Sequence, residues 1–390
     1  MHRVAPGVGL PSVSLPASGG LVTTSMDAPT LTILYSYNKR GFEADCWFRE
    51  LTAASDSRYT FVPFNHDPYI DVAAYIRAQL LDNLWFERDR RLLRMYKDLQ
   101  ARLAETRADA LLVDNCPPYH PEFLRTLPIY KVLRTNDGPL SAYDRDFAYV
   151  HAYDHVLYHS PAYSPEMGMR EKLLYVGAKR VDFWPLAVFD AWFDQNLSET
   201  QLFERARDVD LLFVGSMFLN KFPLLAKVKK AFGRRFKLHG RGSWKMNLYW
   251  NVKYGFPGWI RAIDFDEYIP LYHRTKIGIN VHNRGQYTVG GYRMFELPAN
   301  GVMQICDGGD HLETFFDVGT EVVGYKNADD LIDTIRYYLA HDIEREAIAR
   351  AGFRRVMRDH RMAPRLRQAG ELVERGMRES GRALTILTAR

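Results

Sequence analysis

Residues 287–309 read YTVGGYRMFELPANGVMQICDGG, and the order loop, helix, strand within them decides how the rest of the chain is read. Gly290-Gly291 close a loop, residues 292–299 have helical character, Asn300-Gly301 stop the helix, and residues 302–306 are an apolar run of strand length. Backbone N–H groups gather where a glycine-rich loop enters a helix, and such a place suits an anion. Arg293 and Glu296 occupy the first turn. Pro298 removes a backbone donor, so the helix is short or kinked.

Working outward, the same alternation recurs in both directions. Towards the N-terminus, strands are expected at 31–36, 59–63, 108–115, 129–137 and 155–160, with a helix starting near Cys46 and long helical periodicity over 76–107. A Pro- and aromatic-rich break follows, and the cycle restarts with a strand at 208–216, a helix at 222–232 and a strand at 235–240. An aromatic insertion at 244–260, a helix at 266–274 and a strand at 276–282 lead back to the opening stretch. Alternating strands and helices imply α/β domains with largely parallel sheets. Two in tandem face each other across a cleft lined by the C-terminal ends of strands. The expected organisation is a disordered leader over 1–29, a first domain over 30–190, a second over 208–365 and a terminal helix over 366–390.

Composition narrows the function. The chain has 390 residues, 47% of them hydrophobic, and a formal net charge of +5, enough for two cores but too mild a charge to coat a nucleic-acid backbone. Cys46, Cys116 and Cys306 have no metal-ligand spacing and read as packing residues of a protein in a reducing compartment. No run approaches the roughly 20 apolar residues of a membrane span, so a cytoplasmic protein is expected. Motifs of metalloproteases, P-loop enzymes, nucleophile elbows and dinucleotide-binding folds are missing. DxD patterns occur at 144–146, 208–210 and 264–266, and three matches make the motif cheap. Asp266 reads as a helix N-cap, and no metal site is expected.

Several segments together resemble a known family. LLFVGS (211–216), KLHGRGSW (237–244), DEYIPLYHRTKIGINVH (266–282), GGYRMFELPANGVMQICD (290–307) and DDLIDTIRYYLAHDIEREAIARAG (329–352) are similar to the nucleotide-sugar-binding domain of GT-B glycosyltransferases. The closest resemblance is to the spore maturation protein-like (CgeB-like) group, related to the retaining group 1 transferases. TNDGP (135–139) and GAKRVDFWPLAV (177–188) match the first domain more loosely. The resemblance implies a GT-B fold, two Rossmann-like domains across a cleft, with C-terminal helices crossing back. It implies an N-terminal domain that binds the acceptor and a C-terminal domain that binds a nucleoside-diphosphate sugar, used as co-substrate with no cofactor. In group 1 transferases two glutamates stand with seven residues between them. Glu296 matches the second, which contacts the donor ribose, while Thr288 stands where the first would be.

The candidate donor-site residues are therefore Gly215, Ser216, Arg241, His282, Gly290, Gly291, Tyr292, Arg293 and Glu296. A carboxylate at Glu296 accepts from two vicinal ribose hydroxyls, or else is simply an acid favoured at a helix start. Arg293 neutralises a diphosphate leaving group with its guanidinium fork, or is a solvated helix residue. Arg241 is a second candidate cation and Lys221 a weaker third. Helix-start N–H groups are expected to share the diphosphate's charge. On the acceptor side stand Asp137, a general base or hydroxyl ligand, and Asp45 in the first strand-to-helix loop. The aromatic-basic insertion suits a sugar face or a peripheral membrane contact at the inner face of the membrane, but packing over the domain edge is favoured. The expected partners are the donor and a glycan, lipid-linked or protein acceptor, with no nucleic acid. A nucleotide-sugar epimerase of the same fold and a non-catalytic nucleotide-sugar-binding protein are the alternatives.

Overall fold

The computed structural model describes residues 30–70, 88–115, 119–135, 146–164, 166–282 and 289–381. The leader expected over 1–29, together with Cys116, Asp137 and Thr288, lies outside the described residues. In the N-terminal part the strands are β1 (Leu31–Tyr37), β2 (Tyr59–Asn65), β3 (Ala110–Asp114), β4 (Tyr130–Thr135) and β5 (His155–Tyr158). A small hairpin, β6 (Ala162–Ser164) and β7 (Met167–Gly168), precedes β8 (Val181–Phe183). The main sheet runs β2-β1-β3-β4-β5-β8, and every pairing is parallel. All residues of β3 and β4 are buried, as a sheet covered on both faces requires. Helix α1 (Gly41–Ala54) starts at Gly41, where a φ of +51° turns the chain, one turn before the position that Cys46 suggests. Helix α2 (Arg90–Thr106) begins where the Asp89 side chain accepts from the N–H groups of Arg91 and Leu92, a standard N-cap.

The second sheet contains β9 (Val209–Val214), β10 (Phe236–His239), β11 (Thr275–Asn280), β12 (Met303–Cys306) and β13 (Val323–Gly324). Its order is β10-β9-β11-β12-β13, again all parallel. Six helices that bear on the site follow the strands or close the fold: α6 (Phe222–Phe232), α7 (Trp244–Tyr254), α8 (Phe265–His273), α9 (Arg293–Ala299), α11 (Asp342–Asp359) and α12 (Met362–Glu379). Of the others, α3 is Pro121–Thr126, α4 Met169–Tyr175, α5 Glu199–Glu204 and α10 Ala328–Ala340. At the start of α8 the cap is Asp264, not Asp266. Asp264 forms a capping box with Glu267, because the acid three residues before Glu267 is the one placed to exchange bonds with it. The 244–260 insertion folds mainly as α7. Trp250 packs into the core as expected, but Trp244, Phe256 and Trp259 are exposed.

Two chain crossings join the halves side by side. The outgoing strand end reaches Val188, whose N–H donates to His360 O at 2.8 Å, and Met362 N–H donates back to Val188 O at 2.9 Å. Arg361 grips Asp190 through its Nε at 2.9 Å. The returning helix α12 begins at Met362, a turn earlier than residue 366, and lies on the N-terminal part. There Trp184 Nε1 donates to Arg365 O at 2.8 Å and Tyr59 OH to Glu374 Oε2 at 2.9 Å. A Cβ on Gly370 would sit 2.8 Å from the Tyr59 ring, so this contact requires glycine. No helix among the described residues is long and apolar enough to cross a membrane.

Candidate functional site

Helix α9 carries the opening motif into the space between the sheets. Gly290 adopts φ +98°, and a Cβ there would meet Phe315 at 2.9 Å and the His159 carbonyl of the other domain at 3.1 Å. Gly291 has open space where a Cβ would point. Glu296 is buried, and its Oε2 alone takes both local interactions: the Tyr272 hydroxyl donates at 3.4 Å and Arg293 Nη1 stands 3.5 Å away. Arg293 also donates to the Tyr272 hydroxyl. Oε1 has no hydrogen-bond partner among the described residues. Burial raises the carboxyl's pKa, Arg293 opposes that, and Glu43 from the other domain adds to it. For Arg293, burial acts to lower the pKa, but Glu296, Tyr272 and Tyr268 outweigh it, and the guanidinium stays charged.

Three of the N–H groups at the helix start are already paired within the helix. Met294 N–H donates to Gly291 O at 3.0 Å, while Phe295 and Glu296 N–H donate to Tyr292 O at 2.9 and 3.1 Å. A helix of seven residues spends these three donors inside its own first turn.

Lys221 is a buried cation close to this helix. It is 5% exposed, its Nζ lies 5.7 Å from the ring centroids of both Phe213 and Phe218, and it has no carboxylate in ion-pair contact among the described residues. Burial lowers its pKa to about 8, Asp307 resists the fall, and Arg293 adds to it. It is also the N-cap of α6, the end of a helix where a cation is least favoured. Asp307 and the two rings are the local groups that favour its charge. Arg241, placed ahead of Lys221 by sequence, is an exposed residue 3.6 Å from Asp264 on the rim of the cleft. The arginine flanked by glycines is conspicuous in sequence, while the lysine's burial is visible only in the fold.

Gly215 follows β9, and Ser216 is exposed beside it. The position with no room for a side chain is Gly240, where a Cβ would lie 2.3 Å from Gly215 O. His282 follows β11, its N–H donating to Asp307 Oδ1 at 2.9 Å and its Nδ1 lying 2.8 Å from the same oxygen. These two and Cys306 bring possible ligand atoms within 4.8 Å of one another, a grouping that sequence reading did not expect. Burial and Asp307 raise the Cys306 thiol well above its ordinary pKa. Cys46 and Cys306 are both free and buried.

Across the cleft, Asp45 does not lie in a loop: α1 already includes it, and its side chain is exposed on the helix. Arg40, Phe42 and Glu43 take the expected place. With Ala191, Arg241, Asp264 and Phe265 they line a cavity of about 760 Å³ between the two halves, and Phe42 packs on Phe265 with centroids 4.6 Å apart. Behind it, buried Arg134 at the end of β4 pairs with Asp114 at 3.0 Å and donates to Tyr35 OH at 3.0 Å. Its other nitrogen donates to Tyr292 OH at 2.9 Å. Trp47 and Trp184 lie 5.2 and 4.9 Å from the guanidinium. This network ties the first sheet to the residue that starts α9.

Residues 222–371 match the model of a glycosyl transferase-like family, a stretch shorter than half the chain. No curated protein matches the sequence. Among solved structures, sucrose-phosphate synthase from Thermosynechococcus elongatus is similar with a TM-score of 0.60 at 14% identity, over 88% of this chain and 98% of that one. Anabaena HepE, solved in complex with UDP and glucose, gives 0.58 at 11% identity over 88% and 99%. A glycosyltransferase from Rickettsia africae gives 0.58 at 13% over 90% and 99%. With two parallel sheets across a cleft, a returning terminal helix and this likeness over nearly the full length of those enzymes, the chain has the GT-B fold.

Proposed function

We propose that the protein is a glycosyltransferase that moves a sugar from a nucleoside-diphosphate sugar to an acceptor bound by its N-terminal half. The single observation that carries this reading is Lys221, a buried cation with no carboxylate in ion-pair contact among the described residues, within range of Arg293's charge at the C-terminal end of the second sheet. Two cations there suit a diphosphate, and Glu296 Oε1 is free to accept a ribose hydroxyl beside them. The uridine nucleotide in Anabaena HepE makes UDP the first probe. Catalysis consists of holding donor and acceptor in register and stabilising the charge that develops on the leaving diphosphate. The CgeB-like placement, the retaining outcome, metal independence and the role of Asp137 as acceptor-side base belong to the same proposal. A glycan, a lipid-linked sugar or a protein is the acceptor class.

The test is a thermal-shift and product assay. UDP at about 100 times its Kd adds about 2.7 kcal/mol of apparent stability, and the shift persists in chelator. Incubation with donor alone leaves it unchanged, and an acceptor pool yields a glycosylated product. Loss of the shift in chelator, with recovery on adding magnesium or manganese, would overturn the metal-independent part. Epimerised donor, or binding without turnover, would overturn transfer.

A further inference from the structure

Helix α7 is built inside out. Its inward positions include two asparagines: Asn247 accepts from Ile260 N–H at 2.8 Å and donates to Ile260 O at 3.1 Å, and Asn251 accepts from Gly258 N–H at 3.2 Å. Trp250 Nε1 donates to Gly258 O at 3.0 Å. These bonds clamp the loop that follows the helix. Its outward positions are Trp244, Leu248 and Val252, one turn apart, with Lys245, Tyr249 and Lys253 one residue further round. Trp244 and Val252 are each 64% exposed, and beyond the helix Phe256 is 76% and Trp259 64% exposed. Phe256 sits at φ +55°, a strained conformation for a bulky residue that does not bury its ring. Water-facing apolar residues on a helix whose polar amides face inward call for a partner.

Charge says what kind. Between Asp210 and Asp264 the sequence has no Asp or Glu but eleven Lys or Arg, and Lys245 and Lys253 pair with no carboxylate among the described residues. We infer that the outer face of α7, with the loop after it, docks the protein on an anionic lipid bilayer. Exposed tryptophans and lysines beside an apolar strip fit the headgroup boundary, where rings bury their bodies and cations meet phosphates. Two copies of so basic a face would repel each other. No residue of 244–260 lines the cleft cavity, so the face is separate from the site where sugar would bind. The inference therefore stands whether or not the donor reading holds.

The experiment is co-sedimentation of the full chain with vesicles, either of phosphatidylcholine alone or containing phosphatidylglycerol. Binding to the anionic vesicles only, weakened by salt, is expected. Lys245→Gln with Lys253→Gln lowers partitioning roughly 25-fold, about fivefold per charge, and Trp244→Ala with Trp259→Ala lowers it further. Because all four side chains are exposed, melting temperatures stay at the wild-type value. Failure to sediment with anionic vesicles, or wild-type sedimentation by the variants, would overturn the inference. So would a dimer that Val252→Glu dissociates in the absence of any vesicle binding.

Discussion

Lys221→Met should make the protein more stable and a worse nucleotide binder at once. The fall of the Lys221 pKa from its ordinary 10.5 to about 8 corresponds to about 3 kcal/mol by which burial disfavours the charged form. Its folded pKa lies below its unfolded one, so the unfolded chain holds that proton more tightly, and stability rises with pH between about 8 and 10.5. Below pH 8 both states are protonated and the whole cost is present. Methionine keeps much of the volume and the packing on Phe213 and Phe218 without the charge, so urea unfolding at pH 7 should show a gain of about 1–3 kcal/mol. Calorimetric UDP affinity should fall by about 1.5–3 kcal/mol, the range for hydrogen bonds to charged groups. Wild-type affinity should also drop about tenfold from pH 7 to pH 9 as the free lysine loses its proton, a dependence that the variant lacks. A lysine with a purely structural role predicts the opposite pair of results. Lower stability with unchanged UDP affinity would refute the reasoning and remove the main support for the donor site.

Glu296→Ala should weaken UDP binding by about 1.5–3 kcal/mol and leave a 2′,3′-dideoxy analogue binding mutant and wild type alike; competition calorimetry decides. Arg293→Ala should penalise the diphosphate and spare the weak affinity of a plain nucleoside, measured the same way. Arg134→Met removes the cation paired with buried Asp114 and should cost about 3–5 kcal/mol in denaturant unfolding, with much of the loss recovered by Asp114→Asn. Asp137→Asn should lower turnover at unchanged UDP affinity; equal loss of both would move that residue to the donor side.

Much of the fold was legible because its signals are local. Buried strands such as 209–214 and 303–306 announce themselves as apolar runs, helix 222–232 by its periodicity and its closing Gly233, and α9 by the glycines before it and Asn300-Gly301 after it. The second half aligned with a known family through motifs in order, and the structure bears out the two-domain, crossed-back architecture. Local reading erred by about a turn where a single residue decides a start, as at Gly41, Asp264 and Met362.

The sequence by itself determined most of the sheet strands and the helix after the glycine pair, that the two domains carry largely parallel sheets, and that Arg293 and Glu296 share one helical turn, because those signals lie within a few residues. It did not announce the 162–168 hairpin or the strand 181–183. Tertiary structure alone decided that Lys221 is buried within range of Arg293's charge while Arg241 is exposed beside Asp264, since strands 209–214 and 303–306 flank the same strand 275–280. It decided that Arg134 reaches Tyr292 across 158 residues of chain, and that one carboxylate oxygen of Glu296 is taken and the other open. It also turned the aromatic stripe of α7 outward: two asparagines found backbone partners in the loop after the helix, and burying those amides left Trp244, Leu248 and Val252 facing out.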